Sequence, residues 1–94
     1  MEHNASYIRE KLVVGLAMLN ARSGSLGKRV RDAWEEMSVL QPADFSDEAV
    51  RRDFEHLQST KELYVIDGQI PALSQAQLED ARTRIKRIHN AVVR

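Results

Sequence analysis

The stretch Leu12 to Leu19, "LVVGLAML", is eight consecutive apolar residues in a chain of 94, and it constrains the fold more than any other feature. Ile8, Leu12, Gly15, Leu16 and Leu19 recur at helical spacing, while Val13, Val14, Ala17 and Met18 widen the stripe until the helix is apolar on most sides. A helix of that kind is covered by more than one neighbour. Eight residues fall far short of the ~20 that span a bilayer. Arg9 and Lys11 precede the run as in a secretory leader, but Glu2 and Glu10 offset them and the small-residue cleavage pattern is poor. The expectation is a cytoplasmic protein that does not enter a membrane.

The neighbours are legible as three more helical segments. The first segment, about Ser6 to Arg22, stops at Ser23-Gly24, with Gly24 suited to the left-handed position after a helix. Ser25 caps the second, which carries Leu26, Val30, Ala33, Trp34, Met37 and Leu40 on one face and runs to about Gln41, ahead of Pro42. The third follows an acidic corner, "PADFSDE". There Ser46 reads as the cap, Phe45 and Val50 as a hydrophobic staple, and Asp47 with Arg51 and Glu48 with Arg52 as acid-before-base pairs one turn apart. Val50, Phe54 and Leu57 supply its buried face. The fourth opens with a capping box, Ser74 and Gln77, and a Leu73–Leu78 staple. Leu78, Ala81, Ile85, Ile88 and Val92 then follow at spacings of 3, 4, 3 and 4.

Between the third and fourth segments, "ELYVIDGQIPAL" is read two ways. Asp67-Gly68 between short apolar runs is the signature of a two-residue hairpin, but Pro71 weakens its second strand and an isolated hairpin is marginal. An irregular loop over 63–73 is the preferred reading. The expected architecture is an all-α, compact bundle of four helices, a single domain over 1–94 with a flexible tail at 1–5 and a non-helical loop before the last helix. Trp34, Phe54, Leu16 and Ile85 are expected in the core.

Composition narrows the function classes. Lys plus Arg equals Asp plus Glu, 14 each, so the whole molecule is not steered toward nucleic acid. No cysteine occurs, which removes disulfides, thiolate ligands and thiol nucleophiles. "SGSLGKR" has the outline of a phosphate loop, but Gly24-x-x-Gly27-Lys28 is the wrong spacing and Arg29 stands where the hydroxyl residue belongs. An anion contact at this helix start, through Lys28 and Arg29, is the sharp reading, and a plain helix-helix turn the bland one. His3, His56 and His89 lack a second metal ligand at i+3 or i+4. Asp44, Asp47, Asp53 and Glu55 read as cap and ion-pair residues rather than as paired catalytic carboxylates. No nucleophile stands beside a base, so the reading is non-enzymatic, with no cofactor and no metal.

Charge bias appears only in the fourth segment, where five Lys/Arg (Arg82, Arg84, Lys86, Arg87, Arg94) face Glu79 and Asp80. Arg82, Lys86 and His89 share one flank at spacings of 4 and 3, a candidate contact for phosphates or an acidic partner. The bland alternative is that bases gather toward a helix C-terminus, where the dipole favours them. The five aromatic residues sit mostly at core spacings, leaving no stacking platform for bases. "YIREKLVVGLAML", "SLGKRVRDAW", "LQPADF" and "RIKRIHNAV" resemble the pattern of small bacterial all-helical proteins of unknown function. The likeness departs over Tyr64 to Leu73, and it implies no activity, cofactor or site residue.

Two function classes follow. The first is a protein-protein interaction or regulatory module, a homodimer or a hetero-complex, using Val13, Val14, Ala17 and Met18, with Gly15 and Ala17 small enough to admit another helix closely. The alternative is a nucleic-acid-associated accessory protein acting through the basic flank of the fourth helix.

Overall fold

Asn4 starts the first helix. Its side chain accepts the Tyr7 N–H at 2.8 Å and leaves α1 to run over Ala5–Leu19. A computed structural model of the protein describes residues 3–60 and 74–93. Helix α1 ends three residues before the expected Arg22, where the Asn20 N–H closes onto the Leu16 carbonyl. Gly24 does adopt a positive φ of 91°, inside the connecting turn rather than directly after the helix. Ser25 then caps α2 (Leu26–Met37), accepting the Lys28 N–H at 3.2 Å.

Helices α1 and α2 run antiparallel and close together. Lys11 Nζ meets Glu36 Oε1 at 2.8 Å, and Arg29 Nη1 donates to the Leu19 carbonyl at 3.1 Å, satisfying an end group of α1. A Cβ added at Gly15 would stand 3.0 Å from Met37 Cγ and 3.4 Å from the Ala33 carbonyl oxygen. Gly15 therefore admits the chain's own α2, not a second molecule, which corrects the role expected for it.

The corner differs from expectation in one informative respect. Helix α2 stops at Met37, short of Gln41, because the Ser38 hydroxyl turns back to the Glu35 carbonyl at 2.9 Å and the chain tightens into a 3-10 turn over Pro42–Asp44. Asp47, not Ser46, caps α3 (Glu48–Ser59), its Oδ1 accepting the N–H groups of Ala49 at 2.8 Å and Val50 at 3.2 Å. A carboxylate takes two donors at once and carries the charge that the helix dipole favours, which is why Asp47 wins the position. The expected Asp47–Arg51 pair is replaced by that cap, whereas Glu48 and Arg52 do pair at 2.7 Å. Moving the cap by one residue also removes the staple spacing between Phe45 and Val50. Both are nonetheless buried, and the Phe45 ring packs against Phe54 with centroids 5.1 Å apart.

Helix α4 (Gln75–Val92) opens with the expected capping box: Ser74 Oγ accepts the Gln77 N–H at 3.2 Å and Gln77 Oε1 accepts the Ser74 N–H at 2.9 Å. Leu78, Ala81, Ile85 and Ile88 are buried, but Val92 breaks the seam and is 37% exposed. The Leu73–Leu78 staple and the hairpin-or-loop question at 63–73 lie outside the described residues.

Among the described residues the fold is an all-α, up-down-up-down bundle of four helices. Helix α1 packs on α2, α3 on α4, and α4 returns to α1, while the rings of Trp34 and Phe54 meet across α2 and α3 at 5.4 Å. Of the four expected core residues, Trp34, Phe54 and Ile85 are buried. Leu16 is only half-buried, packed against the core from its rim. His3 donates its N–H to Asp44 at 2.7 Å, and its ring stacks on Tyr7 with centroids 4.8 Å apart. No helix among the described residues is long and apolar enough to cross a membrane.

Candidate functional site

Helix α4 carries cations on both sides of its buried seam, and the fold treats the two sides differently. Arg84 and Arg87 lie three residues apart and face α3. Arg84 Nη1 reaches Asp53 Oδ1 at 2.8 Å. Arg87 grips the same carboxylate with two nitrogens, Nε at 3.1 Å and Nη2 at 2.7 Å. Asp53 is 8% exposed, and these charge-assisted bonds compensate its burial. Arg84 Nε also meets Asp80 Oδ2 at 2.8 Å, with His56 Nε2 3.6 Å from that oxygen. The Arg84 guanidinium holds the Asp80 carboxyl below the usual range, and the two carboxylates hold Arg84 above its ordinary value. Asp53, read from the sequence as a local ion-pair residue, is instead the link between two helices. Its partners stand 31 and 34 residues away, and spacing within one helix gives no signal of them.

On the opposite flank lie Arg82, Lys86 and His89. Arg82 and His89 are half-buried and Lys86 is exposed. His89 Nδ1 lies 3.1 Å from Asn90 Oδ1. Arg82 and Lys86 meet no carboxylate among the described residues. The other expected anion contacts are committed elsewhere. Lys28 lies 3.6 Å from Asp32, one turn on, and Arg29 serves the end of α1.

The four apolar candidates on α1 separate. Val13 is 45% exposed and Ala17 is exposed, so both face outward. Val14 and Met18 are half-buried on the side toward α2, with Met18 packed against the core. Lys11 fixes which side that is, because it bonds Glu36 and lies above an α2-facing flank.

A second polar cluster was not legible in the sequence. Asp44, whose side chain is buried, accepts the His3 N–H, lies 2.9 Å from His3 Nδ1, and accepts the Gln41 N–H at 2.8 Å. Burial opposes ionisation of Asp44, but these hydrogen bonds together outweigh it and hold its pKa below the ordinary value. Its partner is 41 residues away, and the contact pins the start of α1 to the corner. Clefts of ≈ 260, 340 and 270 Å³ open around this end of the bundle, where Val92, Asp44 and Asp47 recur in the walls. No three His, Asp or Glu side chains among the described residues gather into a metal-binding group. Compared with protein-family models, curated proteins and solved structures, the chain matches none of them.

Proposed function

We propose that this protein is a small non-enzymatic interaction or regulatory module that works by binding another protein chain through the outward face of α1. One observation carries the reading: Val13 stands 45% exposed near the start of an eight-residue apolar run, with Ala17 exposed one turn on. An apolar helix face in water is a surface that association covers, and two-fold pairing is the commonest closed way to do so. A small domain also completes its core by association more often than a large one. That none of its residues is a cysteine supports a reducing compartment, the cytoplasm. The resemblance to small bacterial helical proteins supplies an origin for such a module and no role.

Sedimentation of the wild-type chain and of Val13→Glu at micromolar concentration tests this reading. Association in the wild type that is lost in the variant supports a homodimer through this face. A monomer whose solubility and partner binding are unchanged by Val13→Glu removes the reading. The unpaired Arg82 and Lys86 favour a second reading, a nucleic-acid accessory protein. Electrophoretic shift of generic DNA and RNA at low salt, abolished at higher salt, is the result that would support it.

A further inference from the structure

Before Ile8, helix α1 and its cap put no buried side chain into the core. His3 and Tyr7 are half-buried, and Asn4, Ala5 and Ser6 are exposed. The first turn of α1 also lacks an acid to complement the positive end of the helix dipole. Among the described residues, the hydrogen bonds tying 3–7 to another element both go to Asp44. The His3 N–H donates to Oδ1 at 2.7 Å, and the His3 ring nitrogen Nδ1 lies 2.9 Å from Oδ2. Asp44 thus supplies, from the corner, the negative charge that α1 lacks at its start. Behind the His3 ring stands Tyr7, with Lys11 over it at 5.5 Å and Lys11 itself held by Glu36 of α2.

No part of the Asp44 side chain is exposed. Each of its oxygens already accepts a backbone N–H, that of His3 on Oδ1 and that of Gln41 on Oδ2. A proton added to either oxygen weakens an acceptor in use and cancels the charge facing the helix start. Burial opposes the charged form, but the hydrogen bonds outweigh it and hold the carboxyl below its ordinary range. The contact therefore contributes fully above the unfolded value of about 3.9 and is lost as the pH falls through the folded value. Two other charged groups border the clefts around Asp44, namely Arg9 of α1 and the α3 cap Asp47, and neither bonds to it. Helix α4 lends Ala91 and Val92 to those two clefts, and no charged side chain.

We infer that the His3–Asp44 contact is a proton-operated latch. It holds the first turn of α1 shut on the corner while Asp44 is ionised, and protonation of that carboxyl frees the turn while the bundle core stays folded. The core holds through apolar side chains that do not titrate, among them Leu12, Phe54 and Ile85. Ala5 and Ser6 line the ≈ 260 Å³ cleft together with Ile8 and Val92, so release of the turn opens those two apolar side chains at one end of the bundle. The latch is independent of what the outward face of α1 binds, since Val13 and Ala17 lie beyond the freed turn.

Native-state hydrogen exchange of the full chain, each rate referred to its intrinsic value at that pH, tests the latch. The reporters are the Tyr7 N–H, held by the Asn4 side chain, and the Ile8 N–H, held by the Asn4 carbonyl. Their protection should lie below that of Phe54 and Ile85 and ignore low urea, as an opening smaller than global unfolding does. Between about pH 5 and pH 3 it should fall several-fold. Asp44→Asn should lower it by about tenfold already at neutral pH and abolish the further fall in acid. His3→Ala loses the ring but keeps its backbone N–H on Asp44, so it should lower protection less and keep the acid dependence. Asp80→Asn should leave both reporters as in the wild type. Should Asp44→Asn fail to fold, His3→Ala decides, because unchanged protection of Tyr7 and Ile8 in that variant overturns the latch. An acid fall that persists in Asp44→Asn overturns it too. So does exchange of Tyr7 and Ile8 with the same protection and urea slope as Phe54 and Ile85, which would mean that the turn opens only with the whole chain.

Discussion

Along α4, Arg84 and Arg87 reach into the bundle edge and share the Asp53 carboxylate, while Arg82 and Lys86, on the other flank of the same seam, meet no acid among the described residues. The residue types are alike and the dipole acts on both flanks equally, so neither explains the difference. What differs is the neighbour. Helix α3 presents Asp53 to one flank, and no acid among the described residues meets Arg82 or Lys86 on the other. The formal charge of a helix is thus not the charge it offers to a partner. On α4 one flank's cations tie the helix to α3, and the other's meet no acid among the described residues.

The contrast breaks most visibly at Asp53. Replacing it with Ala removes three charge-assisted hydrogen bonds between α3 and α4. The expected cost is about 2 kcal/mol, below the full value for a buried pair because Arg87 is 57% exposed and its charge is screened. Arg82→Ala should change stability by less than about 0.5 kcal/mol. Urea unfolding of the two variants measures both, and equal costs would erase the distinction between the flanks.

A smaller effect is expected at the start of α3, one and a half turns before Asp53. Asp47→Ala should cost about 1 kcal/mol by leaving the Ala49 and Val50 donors without their acceptor, whereas Ser46→Ala should cost only a few tenths. Hydrogen exchange at Ala49 to Asp53 would locate the loss, and a larger effect from Ser46 would return the cap to it.

Acid should loosen the paired flank selectively. Asp80 has its pKa lowered by Arg84, and Asp44 by the His3 and Gln41 hydrogen bonds that overcome its burial. A lowered carboxyl contributes stability that is fully present above its unfolded value of about 3.9 and is lost as the pH falls through the folded value. Asp80→Asn should therefore flatten the decline in stability below about pH 4, while Arg82→Ala should leave its shape unchanged. Unfolding midpoints followed from neutral pH downward would show it, and an identical profile for Asp80→Asn would deny the pairing its role.

The smallest expected effect calibrates the scale. Arg52→Gln breaks the exposed pair with Glu48 and should cost about 0.3 kcal/mol. A cost near that of Asp53→Ala would mean that burial against a neighbouring helix does not set the strength of these pairs.

Local features were legible because their partners lie within one turn. Ser25, the Ser74–Gln77 capping box and the Glu48–Arg52 pair are each closed by a residue three or four positions away, and all three are in the fold as read. Ser46 and Asp47 illustrate the limit of that method. Both are competent caps, and the path of the chain after the 3-10 turn, together with the carboxylate's capacity for two donors, decides which side-chain oxygen faces the free N–H groups. Leu16 illustrates another: its spacing fits the apolar stripe, yet it sits at the rim because the stripe is wider than the surface its neighbours cover.

By itself the sequence determined four amphipathic segments, most of their caps, and an all-α bundle, since periodicity and capping are set by residues one turn apart. Tertiary structure alone decided that Gly15 receives α2, that His3 closes onto Asp44, and that Asp53 joins Arg84 and Arg87 while Arg82 and Lys86 meet no acid among the described residues. Those outcomes depend on which flank of one helix meets which flank of another. That is fixed by how the buried faces pack together, and no spacing along a single helix encodes it.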